Sequence, residues 1–130
     1  MTRQDFFKKY WNFAQSATNG SGISPLLILS QAYLESGAGE SVLAKKYNNF
    51  FGVKATQNWQ GKTISLKTIE QDKQGKTYQI VSKFRVYNSP GEAFIEQIKF
   101  LNGDYNKRTV NKNGSTKPFK LINYESESNR

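Results

Sequence analysis

Residues Gly22 to Lys54 read GISPLLILSQAYLESGAGESVLAKKYNNFFGVK, a strongly apolar helix that runs into a carboxylate and a cluster of small residues. Ser24-Pro25 is a helix start. A serine side chain caps free backbone N–H groups, and proline is tolerated at the first helical position, where its missing N–H is not needed. Leu26, Leu27, Ile28, Leu29, Ala32, Tyr33 and Leu34 fall on more than one side of the helix, which predicts an interior helix rather than a surface helix with one apolar stripe. Glu35 closes it, and Gly37 and Gly39 follow as helix-stop residues. A carboxylate in the last turn faces the negative end of the helix dipole, and at the end of a buried helix it is partly desolvated. Both effects favour the protonated form, the environment of a general acid. The plain alternative is an exposed helix-end glutamate, and local disfavour does not by itself assign a role.

After Glu35 the chain passes through Ser36-Gly37-Ala38-Gly39-Glu40-Ser41 to a short helical piece, Val42 to Tyr47, and then to Asn48-Asn49-Phe50-Phe51-Gly52-Val53-Lys54. Three blocks closely resemble the glucosaminidase family, glycoside hydrolase family 73: Gln31-Ala32-Tyr33-Leu34-Glu35-Ser36-Gly37, Gly39-x-Ser41 with Leu43-Ala44 behind it, and Asn49-Phe50-Phe51-Gly52-Val53-Lys54. The family includes bacterial autolysins, the hydrolase domain of the flagellar rod-cap protein and phage lysins. The resemblance implies a lysozyme-like fold and cleavage of the glycan strands of peptidoglycan. It implies a general-acid role for the glutamate of the leucine-glutamate-serine motif, here Glu35. It also makes Ser36 a substrate-contact candidate, has Ser41 cap the short helix, and has Asn49, Phe51 and Lys54 line the cleft.

The 130 residues suffice for one domain with a modest core and not for two. Absence of cysteine excludes disulfides and thiolate chemistry, and absence of histidine removes His-based triads and the usual zinc ligands. No metal or cofactor is expected. Glycoside hydrolysis by carboxylates is the commonest chemistry still open. A formal net charge of +9 points to an anionic partner, because a positive surface concentrates polyanions. Lysines are scattered rather than gathered into a nucleic-acid module, so anionic cell-wall polymers are preferred and nucleic acid is not expected. A solvated basic surface without a specific role is the plain alternative. No stretch is long and apolar enough to span a membrane, and the N-terminus lacks a signal-peptide pattern. The expected setting is the bacterial wall or periplasm, reached as a phage lysin, a virion- or apparatus-associated hydrolase, or a chain trimmed of its leader. A monomer is expected.

From Thr2 to about Ala17, the residues Phe6, Phe7, Tyr10, Trp11, Phe13 and Ala14 have helical spacing and predict an amphipathic helix packed on the core helix, stopped at Asn19-Gly20-Ser21-Gly22. A ligand platform is the alternative for the aromatic cluster, with core packing preferred. Past Trp59-Gln60-Gly61-Lys62, alternation replaces helical spacing. Ile64, Leu66 and Thr68, and later Tyr78, Ile80, Ser82, Phe84 and Val86, predict a β-hairpin with a tip of about six residues, Gln71 to Lys76. Glu70 shares the parity of Ile64 and Leu66 and therefore the face turned toward the helices. A solvated turn-flanking glutamate is the alternative. The resemblance adds that Thr68-Ile69-Glu70 matches the family's Thr-x-Glu setting, which makes Glu70 the second-carboxylate candidate.

Phe84-Arg85-Val86-Tyr87-Asn88-Ser89 and the helix after it repeat another family feature. Ser89 is expected to cap, Pro90 to start the helix, Glu92 to complete a capping box, and Phe94, Ile98 and Leu101 to form the buried stripe. Asn102-Gly103-Asp104-Tyr105 stands where the family has Asn-Pro-x-Tyr. This makes Tyr105 a third catalytic candidate, with an ordinary core or surface tyrosine as the alternative. Residues 108–130, rich in Asn, Lys, Ser and Thr, depart from the family pattern, so the expected organisation is a catalytic domain over 1–107 and a divergent segment over 108–130, as a terminal strand, a docking tail or disorder.

The expected architecture is α+β, a small helical lobe and a β-hairpin lobe flanking a groove. Tyr47, Phe51, Trp59 and Tyr87 are candidates to offer flat faces to sugar rings. Glu35 would protonate the leaving oxygen, and Glu70 would activate water at the carboxylate separation of roughly 6.5–9.5 Å that inversion requires. In a substrate-assisted route through the acetamido group, Glu70 would orient instead. The function expected is an endo-β-N-acetylglucosaminidase, with muramidase cleavage of the other linkage as its variant. The alternative of a different class is a non-catalytic, basic wall-binding or assembly module.

Overall fold

A computed structural model of the chain describes residues 1–103. Helix α1 (Arg3–Thr18), α2 (Pro25–Glu35) and α3 (Val42–Tyr47) come first, then strands β1 (Thr63–Gln71) and β2 (Thr77–Arg85), then α4 (Pro90–Leu101). The architecture is α+β: a helical body from which one antiparallel hairpin extends. Tyr105 and the 108–130 segment lie outside the described residues.

Each helix starts where its cap dictates. Thr2 accepts from Asp5 N while Asp5 returns a bond to Thr2 N, which closes a capping box on α1. Ser24 accepts from Leu26 N and Leu27 N, with Pro25 inside the first turn of α2. Ser41 accepts from Ala44 N on α3, and Ser89 accepts from Glu92 N on α4. The Glu92 carboxylate, expected to reach back to Ser89, instead accepts from the backbone N and side-chain Nδ2 of Asn88. The box is shifted out by one residue.

Helix α1 packs on both α2 and α4. Phe6, Tyr10 and Ala14 supply its buried face, Ile28, Leu29 and Ala32 that of α2, Ala93, Phe94 and Ile98 that of α4, and Phe50 and Phe51 fill the centre. Phe50 meets Phe6, Tyr10 and Phe94 with tilted or edge-on rings 4.9–6.3 Å apart, the offset geometry that aromatic quadrupoles favour. Full burial of each such phenylalanine contributes about 1.5–3 kcal/mol. Two expectations are corrected. Helix α2 is not apolar-buried all round, since Leu26, Leu27 and Leu34 are exposed, Leu34 at 76%. Its inner face is enough to satisfy the core, and the described body offers nothing to its outer face. Trp11 and Phe13 likewise lie largely outside the aromatic core.

In the hairpin, Thr63 pairs with Arg85 and Gln71 with Thr77, so Gln71 belongs to the strand and the loop is 72–76, one residue shorter than expected. Asp72 builds this loop. Its Oδ1 accepts from Gln74 N and Lys76 N, and its backbone N donates to Lys76 O. Burial alternates as the pleat requires. Ser82 and Phe84 are buried and Ile64 and Leu66 half-buried on the face turned to the body, while Ile69 and Val81 stand on the outer face.

Candidate active site

Glu35 ends α2 beside a chain reversal organised by Ser36. The Ser36 hydroxyl donates to Ala32 O at 2.6 Å and accepts from Gly39 N at 2.8 Å. Backbone bonds from Ser36 N to Ala32 O, Gly37 N to Leu34 O, Ala38 N to Tyr33 O and Ser41 N to Ser36 O close the turn. The carbonyls of Ala32, Tyr33 and Leu34 are thereby satisfied internally, which holds the backbone on either side of Glu35. Gly37, Ala38 and Gly39 all take positive φ, 58°, 61° and 79°. Glycine does so at no steric cost, whereas Ala38 carries strain of order 1 kcal/mol beside the candidate acid. A side chain at Gly39 would also meet the Phe6 ring at 3.2 Å.

Glu35 is exposed, so the burial expected at the end of this helix is corrected: the outer face of α2, with Leu34 beside Glu35, is open among the described residues. Glu40, five residues on, is a different kind of carboxylate. Lys45 hydrogen-bonds it, with Nζ 2.8 Å from Oε1, and the hydrogen bond and the ammonium charge together hold Glu40 below the usual carboxylate range. An anion so held does not compete for the role of proton donor.

The floor next to this turn is anchored by Asn49, which is 1% exposed. Its Nδ2 donates to Val53 O and Arg85 O, both at 2.9 Å, and its Oδ1 accepts from Val53 N at 3.0 Å. Asn48, in the left-handed region at φ 57°, ends α3 and donates through Nδ2 to Tyr87 O. One asparagine pair thus ties the segment after α3 to the end of β2. The base of the hairpin is further stitched by Ala55 N to Lys83 O, Arg85 N to Val53 O and Val86 N to Lys62 O.

Arg85, to which the sequence reading gave no role, stacks its guanidinium over the Trp59 ring at 4.6 Å, and Trp59 meets Tyr87 edge-on at 5.6 Å. Trp59 Nε1 donates to Lys62 O, and Gly61 is so close that a side chain there would collide with the indole. Arg85 Nε is buried without a hydrogen-bond partner, while the guanidinium stacks on the Trp59 ring and hydrogen-bonds the Tyr87 phenol. Burial pushes the Tyr87 phenol up to about 12, against the pull of neighbouring Arg85.

These facts sort the expected substrate contacts. Ser36, Asn49, Phe51 and Tyr87 are all buried. In this conformation none offers a face to a sugar: Ser36 and Asn49 hold the backbone, and Phe51 and Tyr87 pack beneath it. Trp59 is half-buried and clasped by Arg85, Tyr87 and Gly61, so its ring secures the loop ahead of β1. Tyr47 and Lys54 are part-exposed and can still meet a ligand. Lys54 also bridges to Phe84 at the hairpin base. Glu70 pairs across the strands with Tyr78 on the body-facing side of the hairpin, and below it the Thr68 and Ser82 hydroxyls lie 3.4 Å apart. The structure therefore offers Glu35 on the helical body and Glu70 on the hairpin face turned toward that body. Among the described residues no group of three or more carboxylates is placed to hold a metal ion, and no helix is long and apolar enough to cross a membrane.

A family model, Glucosaminidase, described as mannosyl-glycoprotein endo-beta-N-acetylglucosaminidase, matches residues 11–129. The chain is 39% identical over 92 residues to the peptidoglycan hydrolase FlgJ of Escherichia coli (strain K12), covering 68% of this chain and 29% of that protein. It is 35% identical over 108 residues to the exo-glucosaminidase LytG of Bacillus subtilis (strain 168), covering 82% and 37%. The chain thus spans about a third of the length of these curated relatives. Its fold superposes with a TM-score of 0.65 on a C-terminally truncated glycoside hydrolase domain of Salmonella typhimurium FlgJ, at 29% identity, covering 99% of this chain and 86% of that one.

Proposed function

The chain belongs to the glucosaminidase family of glycoside hydrolases, with its lysozyme-like α+β fold, and from this we propose that it hydrolyses the β-1,4 linkages of peptidoglycan glycan strands with Glu35 as general acid. The observation that carries the reading is the placement of two carboxylates. Glu35 sits at the end of α2 on a turn pinned by Ser36, and Glu70 sits on the body-facing side of the hairpin. A glycan lying between body and hairpin has one carboxylate available on each side.

In this reading Glu35 donates its proton to the glycosidic oxygen as that bond breaks. Glu70 takes a proton from the water that attacks the opposite face of the oxocarbenium-like centre, which inverts the configuration. A polymeric substrate that covers the exposed Glu35 desolvates it, which favours the protonated carboxyl when it is needed. Tyr47 and Lys54 are the remaining candidates for contacts on the body, and Tyr105 stays a candidate outside the described residues. The bond cleaved is assigned to the N-acetylglucosaminyl linkage, which leaves N-acetylglucosamine at the reducing end. The net charge of +9 supports encounter with anionic wall polymers.

The test is digestion of purified peptidoglycan by the wild-type chain and by Glu35→Gln, with mass spectrometry of the reduced fragments. N-acetylglucosamine reducing ends, lost in the variant, are the expected result. N-acetylmuramic acid ends would move the bond and keep the chemistry. A folded wild-type chain that binds the wall and releases nothing would overturn the reading in favour of a binding module.

A further inference from the structure

Among the described residues the hairpin is tied to the body at its base, through the Lys54 bridge to Phe84 and the backbone bonds of 53–62 with 83–86. Toward the tip its inner face is open among the described residues, and that face carries an aromatic ring. Tyr78 is 48% exposed, pairs directly with Glu70, and makes no ring contact among the described residues. It shares its face with Ile80, Ser82 and Phe84, whose burial increases toward the base. The ring therefore overlooks the space between hairpin and body.

We propose that Tyr78 is a sugar-contacting residue, stacking its ring on an N-acetylhexosamine unit of the glycan strand next to the unit that Glu70 addresses. This rests on the glycan-hydrolase reading above and adds a binding residue to it. A pyranose with equatorial substituents presents C–H groups on both faces, and those groups pack on an aromatic ring as apolar surface. Directly paired residues on one strand face have Cβ atoms about 4.5–5.5 Å apart, about the length of one sugar unit. A ring beside Glu70 thus meets the sugar next to the one whose bond is being cut. The packing role that would otherwise explain a tyrosine here is small, because a cross-strand pair with glutamate contributes only about 0.2–1 kcal/mol. The Thr68 and Ser82 hydroxyls on the same face add polar partners for the sugar's acetamido or hydroxyl groups.

The test compares wild type, Tyr78→Ala, Tyr78→Phe and Val81→Ser, the last on the outward face, in release of soluble fragments from purified peptidoglycan. Binding of the same Tyr78 substitutions to the insoluble wall is measured in parallel in a Glu35→Gln background. Tyr78→Ala is expected to raise KM and weaken wall binding about tenfold, the equivalent of about 1.4 kcal/mol, with kcat within about twofold and thermal stability unchanged. That split marks a contact made equally in ground and transition states. Tyr78→Phe and Val81→Ser should match wild type. A Tyr78→Ala chain with wild-type KM and wild-type wall binding overturns the proposal. A wild-type chain that releases no fragments but loses wall binding with Tyr78→Ala removes the hydrolase reading and leaves the sugar contact standing.

Discussion

Replacing Asn49 by alanine removes three hydrogen bonds at once, to Val53 N, Val53 O and Arg85 O, all 2.9–3.0 Å long and all at a side chain that is 1% exposed. Each bond contributes a net of about 1 kcal/mol, and a buried group left unsatisfied adds about 1–3 kcal/mol unless water enters. Water in the space vacated by the amide offsets part of the second cost, so the expected loss is about 3–5 kcal/mol. That is a large share of the roughly 5–15 kcal/mol that holds a domain of this size together. The assay is equilibrium urea denaturation followed by far-UV circular dichroism, with a melting temperature lowered by at least about 10 °C as the thermal counterpart. Asn49→Asp should be no better, since it turns two donated bonds into contacts between a carboxylate and the carbonyls of Val53 and Arg85. Asn88→Ala, at an exposed site with 3.4 Å contacts, should cost no more than about 0.5 kcal/mol. An Asn49→Ala chain within about 1 kcal/mol of wild type would refute the assignment of Asn49 as the tether between the floor and the hairpin base.

Glu70→Gln should lower kcat by roughly 10²–10⁴ with KM nearly unchanged, as for loss of a general base, and NMR of the first product anomer should show inversion in wild type; a variant above a tenth of wild-type activity removes Glu70 from the chemistry. Tyr87 ionises near 10 when unfolded and about 12 when folded, so the folded state holds the proton more tightly. Its contribution is complete below pH 10 and is lost as pH rises toward 12, by at most about 2–3 kcal/mol. Stability of wild type minus that of Tyr87→Phe, measured across that window, should fall with pH, and a flat difference would contradict the assignment. Wall digestion should slow several-fold between about 0.05 and 0.5 M salt as the attraction of the +9 chain is screened. Salt-independent rates would show that the charge plays no part in encounter.

The helix starts were legible because Ser24-Pro25, Ser41 and Ser89-Pro90 are local signals, read within four residues and satisfied within four residues. The hairpin was legible for the same reason, since alternation is a property of neighbours. The place of Tyr78 in the second strand was legible from the alternation, but its pairing with Glu70 came only with the strand register. What was not legible depended on distant partners. Whether Leu26, Leu27 and Leu34 are covered depends on what lies across from them, and seven apolar residues in eleven looked interior although only one face is. Tyr87, Phe51 and Trp59 read as sugar platforms because an aromatic side chain carries no sign of which surface it meets. The stacking of Arg85 on Trp59 joins residues 26 positions apart with no pattern to announce it.

A hairpin whose third partner reaches only its base is mostly edge. Among the described residues β1 and β2 are each other's only strand partners, and beyond the base, where 53–55 pairs with the outer edge of β2, no described segment covers their outer margins, whose backbone N–H and C=O groups can receive an extended chain. The outward Ile69 and Val81 would make such an addition comfortable. Lys67 and Lys83 on the same outward positions, with Lys73 and Lys76 around the tip, discourage it by charge, since a second copy brings the same lysines to the same margin. Resistance of the hairpin to edge-on self-association is therefore tied to the charge of a few lysines remote from the carboxylates, and neutralising those lysines is expected to favour strand-by-strand association.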